Sequence, residues 1–311
     1  MRIIITGASG NYGRAAVAGL LEKVPPRDLI LITRSPARLS EFAALGAEVR
    51  PGDFDDPASL RAAFSGGDIM LLISTNRVGK RIPQHRAAIE AAVSAGVKRI
   101  VYTSFVGLGP DNPALVNRDH WATEQMLQAS GVHWTALRDS QYADAIVEAV
   151  APMALATGVW KASAGAGKVA FVTRRDCVAC AVAVLTSPGH EDRVYNITGP
   201  ELLSFGDAAA ILAEVAGRPV EYHQVTADEM YATFDALGIP REAQDDQMIR
   251  GFAWSSDDMV SFETALRSGY FEVLSDDVER LLGRRPQSFR SFAEEHADML
   301  RAAATRQETD T

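Results

Sequence analysis

The amino-acid sequence predicts an α/β protein, with a doubly wound parallel sheet over the first half and a smaller, mostly helical C-terminal region. Two observations predict this fold. In the first half, short apolar runs alternate with segments of helical spacing. Several runs are continuously apolar, which is typical of parallel strands covered by helices on both faces. We therefore expect one domain over 1–150, a region over 151–303 that packs on the sheet and is partly interleaved with it, and a disordered polar tail over 304–311.

The apolar runs of the first half give six strands, namely RIIIT (2–6), LILIT (29–33), AEVR (47–50), DIMLLIS (68–74), RIVYTS (99–104) and HWTAL (133–137). Helical spacing lies between them, over 13–23, 36–45, 57–64, 82–95 and 118–129. Pro57 suits the first turn of a helix, and Gly46, Gly96 and Gly131 suit helix ends. After residue 150 we expect two short strands around a Gly-rich turn in 158–172, then helix 174–186, strand 193–197, helix 204–216, strand 220–225, a helix from about 226 and further helices over 240–300.

The composition narrows the classes of partner. Of 311 residues, 47% are hydrophobic and 23% charged, as in a soluble globular protein. Acidic residues outnumber basic ones by 40 to 31, which argues against a nucleic acid or an anionic membrane surface as partner. No apolar stretch approaches the ~18 residues of a membrane span. With only two cysteines and no signal-like segment, we expect a cytoplasmic protein.

A glycine-rich stretch, GASGNYGR, follows the first predicted strand and precedes a helical segment. Gly7, Gly10 and Gly13 recur at every third position, so the chain can turn tightly there and approach a ligand closely. The helix that follows offers free N–H groups and the positive end of its dipole to a phosphate. The stretch therefore predicts a dinucleotide site, and a tight turn without a ligand is the alternative.

The end of the second strand indicates which dinucleotide binds. An acid usually stands about 20 residues after the loop when the ribose carries a free 2′-hydroxyl. Here the sequence is LITRSPAR, which places Arg34 at that point and Arg38 behind it. A guanidinium binds a 2′-phosphate that a carboxylate would repel, so we predict NADPH. The alternative is that Arg34 is a solvated loop charge.

Residues after the third strand and at the end of the fourth complete the predicted nucleotide site. Asp53 is a candidate acceptor for the adenine amino group, Phe54 could flank the ring, and Ser74 and Thr75 could bound the ribose and nicotinamide. Each could equally be ordinary loop chemistry. The predicted cofactor-binding residues are Thr6, Gly7, Ser9, Gly10, Asn11, Tyr12, Gly13, Arg34, Arg38, Asp53, Phe54, Ser74, Thr75, Asn76, Thr103 and Ser104.

Several stretches together resemble the atypical short-chain dehydrogenases of the NmrA-like group. They are ITGASGNYG, ITRSPARL, GDFDD, LLISTNRVGKRIPQHRAAIEAAVSAGVKRIVYTS, TEQMLQASGVHWTALR and RVYNITGPELLSF. The region 71–104 is most similar to the branch of bacterial NADPH:quinone oxidoreductases and triphenylmethane-dye reductases. The resemblance implies an NADPH-binding Rossmann domain, a C-terminal region for a small aromatic or quinone-like substrate, and a homodimer.

The Tyr-x-x-x-Lys pair of the wider short-chain dehydrogenase family is absent. None of the seven tyrosines is followed by lysine four residues later, and the corresponding helix carries His120 and Glu124 instead. Quinones and cationic dyes tolerate this loss, because a reduced quinone is a phenolate with a pKa near ~10 and a dye cation needs only hydride. An acceptor of this kind is our first hypothesis.

Two residues are candidate proton donors, and each could instead simply pack. They are His120, whose pKa can lie near neutrality, and Tyr142, which follows the sixth strand in the sequence RDSQY. The branch implies Arg-Asn at positions 138–139, and this chain has Asp139 there. Predicted substrate contacts, with core packing as the alternative for the aromatic residues, are Phe105, Val106, Tyr142, Trp160 and Phe171, and the aromatics Phe252 and Trp254 are further candidates for the pocket wall.

Two other functions remain open. One is an NADPH-dependent reductase of a carbonyl or benzylic centre, with His120 or Tyr142 as the acid. The other is a non-catalytic protein that senses NADP(H), which the missing pair also fits. The CVAC motif could be a redox dithiol, but its apolar helical surroundings favour two buried thiols, Cys177 and Cys180. No second cysteine pair completes a zinc site, and no metal is predicted.

Overall fold

The computed structural model describes residues 1–244 and 254–305. Its strands are β1 (Ile3–Ile5), β2 (Leu29–Thr33), β3 (Glu48–Pro51), β4 (Ile69–Leu72), β5 (Arg99–Phe105), β6 (His133–Asp139), β7 (Val159–Ala162), β8 (Lys168–Val169), β9 (Arg193–Ile197), β10 (Leu203–Ser204) and β11 (Glu221–Gln224). The helices of the first half are α1 (Asn11–Leu21), α2 (Ser40–Ala44), α3 (Pro57–Phe64), α4 (Arg81–Ser94) and α5 (Leu115–Ala129). Those of the second half are α6 (Ala151–Thr157), α7 (Arg174–Thr186), α8 (Phe205–Ala216), α9 (Ala227–Ala236), α10 (Ser256–Arg267), α11 (Asp277–Leu282), α12 (Phe289–Glu295) and α13 (Ala297–Thr305).

Seven parallel strands form the central sheet in the order β3-β2-β1-β4-β5-β6-β9. The predicted doubly wound α/β fold is confirmed. β9 comes from the second half of the chain and forms an edge strand of the sheet. None of the helices in the described part of the chain is long and apolar enough to cross a bilayer.

Two apolar layers hold the sheet between its helices. On one face, α1 and α7 pack over strand residues such as Ile3, Ile5 and Leu31. On the other, residues of α3, α4 and α5 pack over Ile4 and Tyr102. Successive strand residues face opposite layers and both layers are apolar, which explains why these strands read as continuous apolar runs.

The second half departs from the sequence prediction in how its strands pair. The two short strands expected in 158–172 form, but they do not pair with each other. β7 pairs in parallel with β11, and β8 pairs antiparallel with β10. The Gly-rich turn between them instead admits the end of α10, because a Cβ on Gly167 would lie 2.0 Å from the Leu266 carbonyl oxygen.

Two further differences are small. The predicted helix over 36–45 divides into a 3-10 turn (Pro36–Leu39) and the short α2, because buried Leu39 leaves the helical conformation between them. The helices expected over 240–300 are α10 to α13 within the described residues. Phe252 and most of the predicted tail over 304–311 lie outside the described residues.

A buried ion pair joins α5 to β6. Arg138 donates to Glu124 through Nε (3.0 Å to Oε1) and Nη2 (2.6 Å to Oε2), and Ser104 Oγ donates to Oε1 at 2.6 Å. Glu124 is 1% exposed. This glutamate stands at the sequence position that the Tyr-x-x-x-Lys pair would give to lysine, and here it links helix to sheet.

We expect Glu124→Ala to lower the free energy of unfolding by about 3 kcal/mol, because it leaves the Arg138 guanidinium without its partner. Glu90→Ala is the matched control, since Glu90 is an exposed glutamate on α4. Urea unfolding of both variants measures the difference. Equal loss of stability in the two variants would contradict this role of Glu124.

Candidate active site

The glycine loop between β1 and α1 is held in one conformation by backbone contacts. Gly7 has a φ of 58°, in the left-handed region that favours glycine. A Cβ on Gly13 would lie 2.4 Å from the Gly7 carbonyl oxygen and 2.7 Å from Ala8 Cα, so only glycine permits α1 to start this close to the loop. The N-cap residue, Gly10, has no side chain to cap the first turn. This turn can therefore offer its N–H groups and dipole to a phosphate.

Side chains of the loop support it from behind. Thr6 Oγ1 donates to the Leu71 carbonyl (3.1 Å) and accepts from Ile73 N (3.0 Å), which fixes the end of β1 to β4. Ser9 Oγ lies 2.8 Å from Thr33 Oγ1. Thr6 and Ser9 are predicted to bind the cofactor, and in the structure their hydroxyl groups form hydrogen bonds with other residues of the protein.

Tyr12 was also predicted to bind the cofactor, and its side chain points into the protein. Its hydroxyl donates to the Cys177 carbonyl at 3.1 Å, between α1 and α7. Only its backbone N–H can contribute at the start of α1, whereas Asn11 beside it is exposed.

Arg34 and Arg38 are exposed just beyond the end of β2. Within the described residues, no ion pair engages either guanidinium. Arg14 in α1 lies nearby, donates to the Arg38 carbonyl at 2.8 Å and pairs with Glu41. Sequence reasoning missed Arg14, because it continues an ordinary helical segment and only the fold brings it beside the end of β2.

The loop after β3 is held by its own polar groups. Asp53 Oδ1 accepts from Asp55 N at 3.0 Å, and Asp53 N donates to Ser59 Oγ at 3.1 Å. Phe54 is partly buried against the core layer of α3 and α4. This loop remains a predicted adenine contact, with the Asp53 side chain already bonded to a neighbouring N–H.

Polar groups at the ends of β4 and β5 meet at the same edge of the sheet. Ser74 N donates to Thr103 Oγ1 at 2.9 Å, and Thr75 Oγ1 donates to Gln84 Oε1 at 2.7 Å. Gly7 is next to this edge, since a Cβ there would lie 3.8 Å from Ile73 Cβ. The glycine loop and the ends of β4 and β5 therefore form one continuous site.

A cavity of about 1010 Å³ opens from this edge toward the C-terminal region. Eight of the predicted site residues line it, namely Ser74, Asn76, Thr103, Ser104, Phe105, His120, Tyr142 and Trp160. Trp254, a further candidate, also lines it. The rest of the wall is largely apolar and aromatic, and sequence reasoning missed Arg81, Asp139, Ile146, Phe205, Phe234, Asp258 and Phe262 in it. Such a cavity suits a flat aromatic molecule.

Two predicted substrate contacts are wrong in their placement. Val106 is fully buried, because β5 turns Phe105 toward the cavity and the next residue away from it. Phe171 is also buried, and its ring centroid lies 4.9 Å from that of Phe289. Phe205 lines the cavity and stacks on Trp160, with the two ring centroids 4.9 Å apart.

His120 is held on both ring nitrogens. Arg81 Nη1 lies 2.9 Å from His120 Nε2, and Tyr102 Oη lies 2.6 Å from Nδ1. Because a guanidinium can only donate, Nε2 is the acceptor and Nδ1 carries the proton. Burial, and then the nearby charges of Arg81 and His85, lower the pKa of His120 well below its usual value. This arrangement does not support the prediction that His120 is an acid; it indicates that the ring orients Arg81.

Tyr142 donates from its hydroxyl to Asp139 Oδ2 at 2.9 Å in the cavity wall. Burial raises the pKa of Asp139 to about 7, against the lowering effect of the Tyr142 hydroxyl and of the neighbouring Cys177 thiol. A one-turn π-helix, Ala145–Val150, follows Tyr142 and also lines the cavity. Cys177 and Cys180 are buried free thiols, as predicted, and burial raises the pKa of both.

Residues 7–188 match the model of the NAD(P)H-binding family. This chain belongs to that family. It is 39% identical to quinone oxidoreductase 2 of Escherichia coli over 76% of this chain and 82% of the relative. It is 33% identical to the NAD(P)H azoreductase of Xenophilus azovorans over 97% and 100% of the two chains.

A solved structure shares the whole architecture of this member of the NAD(P)H-binding family. The triphenylmethane reductase of Citrobacter, complexed with NADP(H), is 29% identical and superposes with a TM-score of 0.83 over 96% of this chain and 100% of that one. The resemblance to dye and quinone reductases found in the sequence is therefore confirmed. The glycine loop and the exposed cations Arg34 and Arg38 after β2 fit the nucleotide that this family binds.

We expect Gly13→Ala to weaken NADPH binding by at least about tenfold, or about 1.4 kcal/mol, because the added methyl group would push the loop away from α1. Gly109→Ala is the matched control, since a Cβ at Gly109 meets nothing within 4 Å. Quenching of NADPH fluorescence measures both affinities. Unchanged binding in Gly13→Ala would contradict the role given to the loop.

Proposed function

We propose that this protein is an NADPH-dependent oxidoreductase that transfers hydride to quinone-like or conjugated aromatic acceptors. The observation that carries the proposal is the apolar, aromatic-lined cavity that begins at the ends of β4 and β5, beside the glycine loop. Relatives named as a quinone oxidoreductase, an azoreductase and a triphenylmethane reductase support the acceptor class.

The protein's own residues act mainly by positioning. The first turn of α1 would hold the pyrophosphate, and Arg34 with Arg38 would hold the 2′-phosphate. NADPH, when bound, supplies the hydride. Ser74 and Thr103, linked by their hydrogen bond, fix the edge of the sheet against which the nicotinamide would lie. Trp160 and Phe105 offer apolar surface to a planar acceptor in the cavity, which would hold donor and acceptor together.

A non-catalytic sensor of NADP(H) is the second function that the missing Tyr-x-x-x-Lys pair permits. The cavity favours the enzyme, since a sensor needs no acceptor pocket of this size. The cytoplasmic location, the homodimer and the lack of a nucleic-acid partner stay predictions. Sedimentation of the purified protein would test the homodimer.

We expect Arg34→Ala to lower the preference for NADPH over NADH by about tenfold to a hundredfold, since a charge-assisted hydrogen bond contributes about 1.5–3 kcal/mol. Arg27→Ala is the matched control, because Arg27 is exposed at the opposite end of β2. The measurement is kcat/KM for each nucleotide with a small quinone and with a cationic triphenylmethane dye.

The proposal requires that the unaltered protein reduce at least one of the two acceptors, the quinone or the dye. Tight NADPH binding without turnover of any quinone or dye would contradict the reductase and favour the sensor. An unchanged nucleotide preference in Arg34→Ala would contradict the role of that residue alone.

A further inference from the structure

The carboxyl of Asp139 and the hydroxyl of Tyr142 form a pair in the wall of the cavity. The two oxygens lie 2.9 Å apart, and Asp139 is 2% exposed. Its second oxygen, Oδ1, is buried and has no hydrogen-bond partner among the described residues. Burial with one unpaired oxygen costs less for a neutral carboxyl than for a carboxylate, so this environment favours a protonated Asp139.

Within residues 1–244 and 254–305, no cation forms an ion pair with Asp139. Its partners on the neighbouring strands are the apolar residues Phe105 and Ile197. The ionisable groups that face it from α1 and α7 are neutral ones, namely the Tyr12 hydroxyl and the thiols of Cys177 and Cys180. The guanidinium of Arg174 lies over the Tyr142 ring, 5.8 Å from the ring centroid, and forms an ion pair with Asp144.

Two hydrogen-bond arrangements are open to this pair. When Asp139 is ionised, Tyr142 donates to it and the phenolic proton is engaged. When Asp139 is protonated, its O–H donates to Tyr142 Oη, and the phenolic proton is released toward the cavity. The pKa of Asp139, raised by burial to about 7, makes both forms accessible near neutral pH.

We propose that Tyr142 is the proton donor of this enzyme, that Asp139 is its proton reservoir, and that the pair extends the acceptors to conjugated carbonyl compounds. The proposal rests on the reductase function given above. A carbonyl acceptor becomes an alkoxide on reduction, which is far more basic than the phenolate formed from a quinone. A positioned acid matters most for such a product.

A conjugated aldehyde or ketone would be reduced by one hydride transfer and two proton transfers. The hydride, with its two electrons, would leave a C–H bond of bound NADPH, which becomes NADP⁺, and form a bond to the carbonyl carbon, while the C=O π electrons move to the oxygen. That oxygen takes the proton of Tyr142 Oη, and Tyr142 takes the proton of Asp139 Oδ2. Asp139 is left as a carboxylate and regains, through water that enters the cavity, one proton of the bulk solvent before the next turnover.

Asn at position 139, which the family resemblance implies, could accept the Tyr142 hydrogen bond but has no acidic proton to give. Asp139→Asn is therefore both nearly isosteric and a direct test. Its matched control is Asp111→Asn, because Asp111 is an exposed aspartate.

The activity test uses three acceptors with increasing demand for a proton, namely a cationic triphenylmethane dye, a small quinone and an aromatic enone or aldehyde. We expect Asp139→Asn to lower the ratio of carbonyl to dye turnover by about tenfold, and Tyr142→Phe by about a hundredfold. In the unaltered protein, kcat with the carbonyl should fall as the pH rises above the pKa of Asp139, and Asp139→Asn should remove that fall.

A second test needs neither cofactor nor acceptor. A carboxyl whose pKa rises from 3.8 to about 7 on folding makes the folded state bind the extra proton, so ionisation opposes folding. The stability of the unaltered protein should therefore fall relative to Asp139→Asn between about pH 4 and about pH 7, and the difference should then stay constant. Thermal unfolding across this range measures it.

An equal loss with all three acceptors would show a merely structural role and overturn the proposal, as would a failure of the unaltered protein to reduce the carbonyl. A stability difference independent of pH would overturn the protonation of Asp139. If the unaltered protein reduces neither the quinone nor the dye, the proposed reductase function is wrong. The stability test still decides whether Asp139 is protonated in the folded protein.

Discussion

In a parallel sheet every strand ends at the same edge, and the site of this protein depends on that constraint. β1 leads into the glycine loop, Ser74 follows β4 by two residues, Thr103 lies near the end of β5, and β6 ends in Asp139. These residues are far apart in the chain, yet the parallel register brings them to one edge of the sheet. Thr6, which bonds β1 to β4, fixes the loop to that edge. The C-terminal region then closes a cavity over it.

Burial sets the protonation of the groups around this cavity. His120 is neutral because it is desolvated beside the fixed charge of Arg81, whose N–H also dictates which ring nitrogen carries the proton. Asp139 is desolvated among apolar and neutral neighbours, so the same cause raises its pKa and keeps a proton available. A histidine usually has a pKa near neutrality, yet here Asp139, and not His120, is the group that can supply a proton near neutral pH.

The sheet and the nucleotide loop could be predicted from the sequence because both depend on local patterns. β2 and α3 have the predicted bounds, since a continuous apolar run and a proline at a helix start specify them directly. The residues that line the substrate cavity were harder to predict. Phe105 and Phe205 line the cavity, whereas Val106 and Phe171 pack into the core, and the sequence pattern does not specify these side-chain directions. The partners of His120, Arg81 and Tyr102, come from two other elements of the fold. Asp139 lies only three residues before its partner Tyr142, but the sequence marks it only as a departure from the family pattern.

The central claim is that hydride passes directly from NADPH to an acceptor bound in the cavity. The most direct test uses NADPH deuterated at C4 on either face, with a cationic triphenylmethane dye, in ordinary water. The reduced dye is then analysed by mass spectrometry. We expect deuterium on the central carbon of the dye from one of the two labelled faces only. A reduced dye without deuterium from either face, its new hydrogen drawn from water, would contradict direct transfer in this cavity.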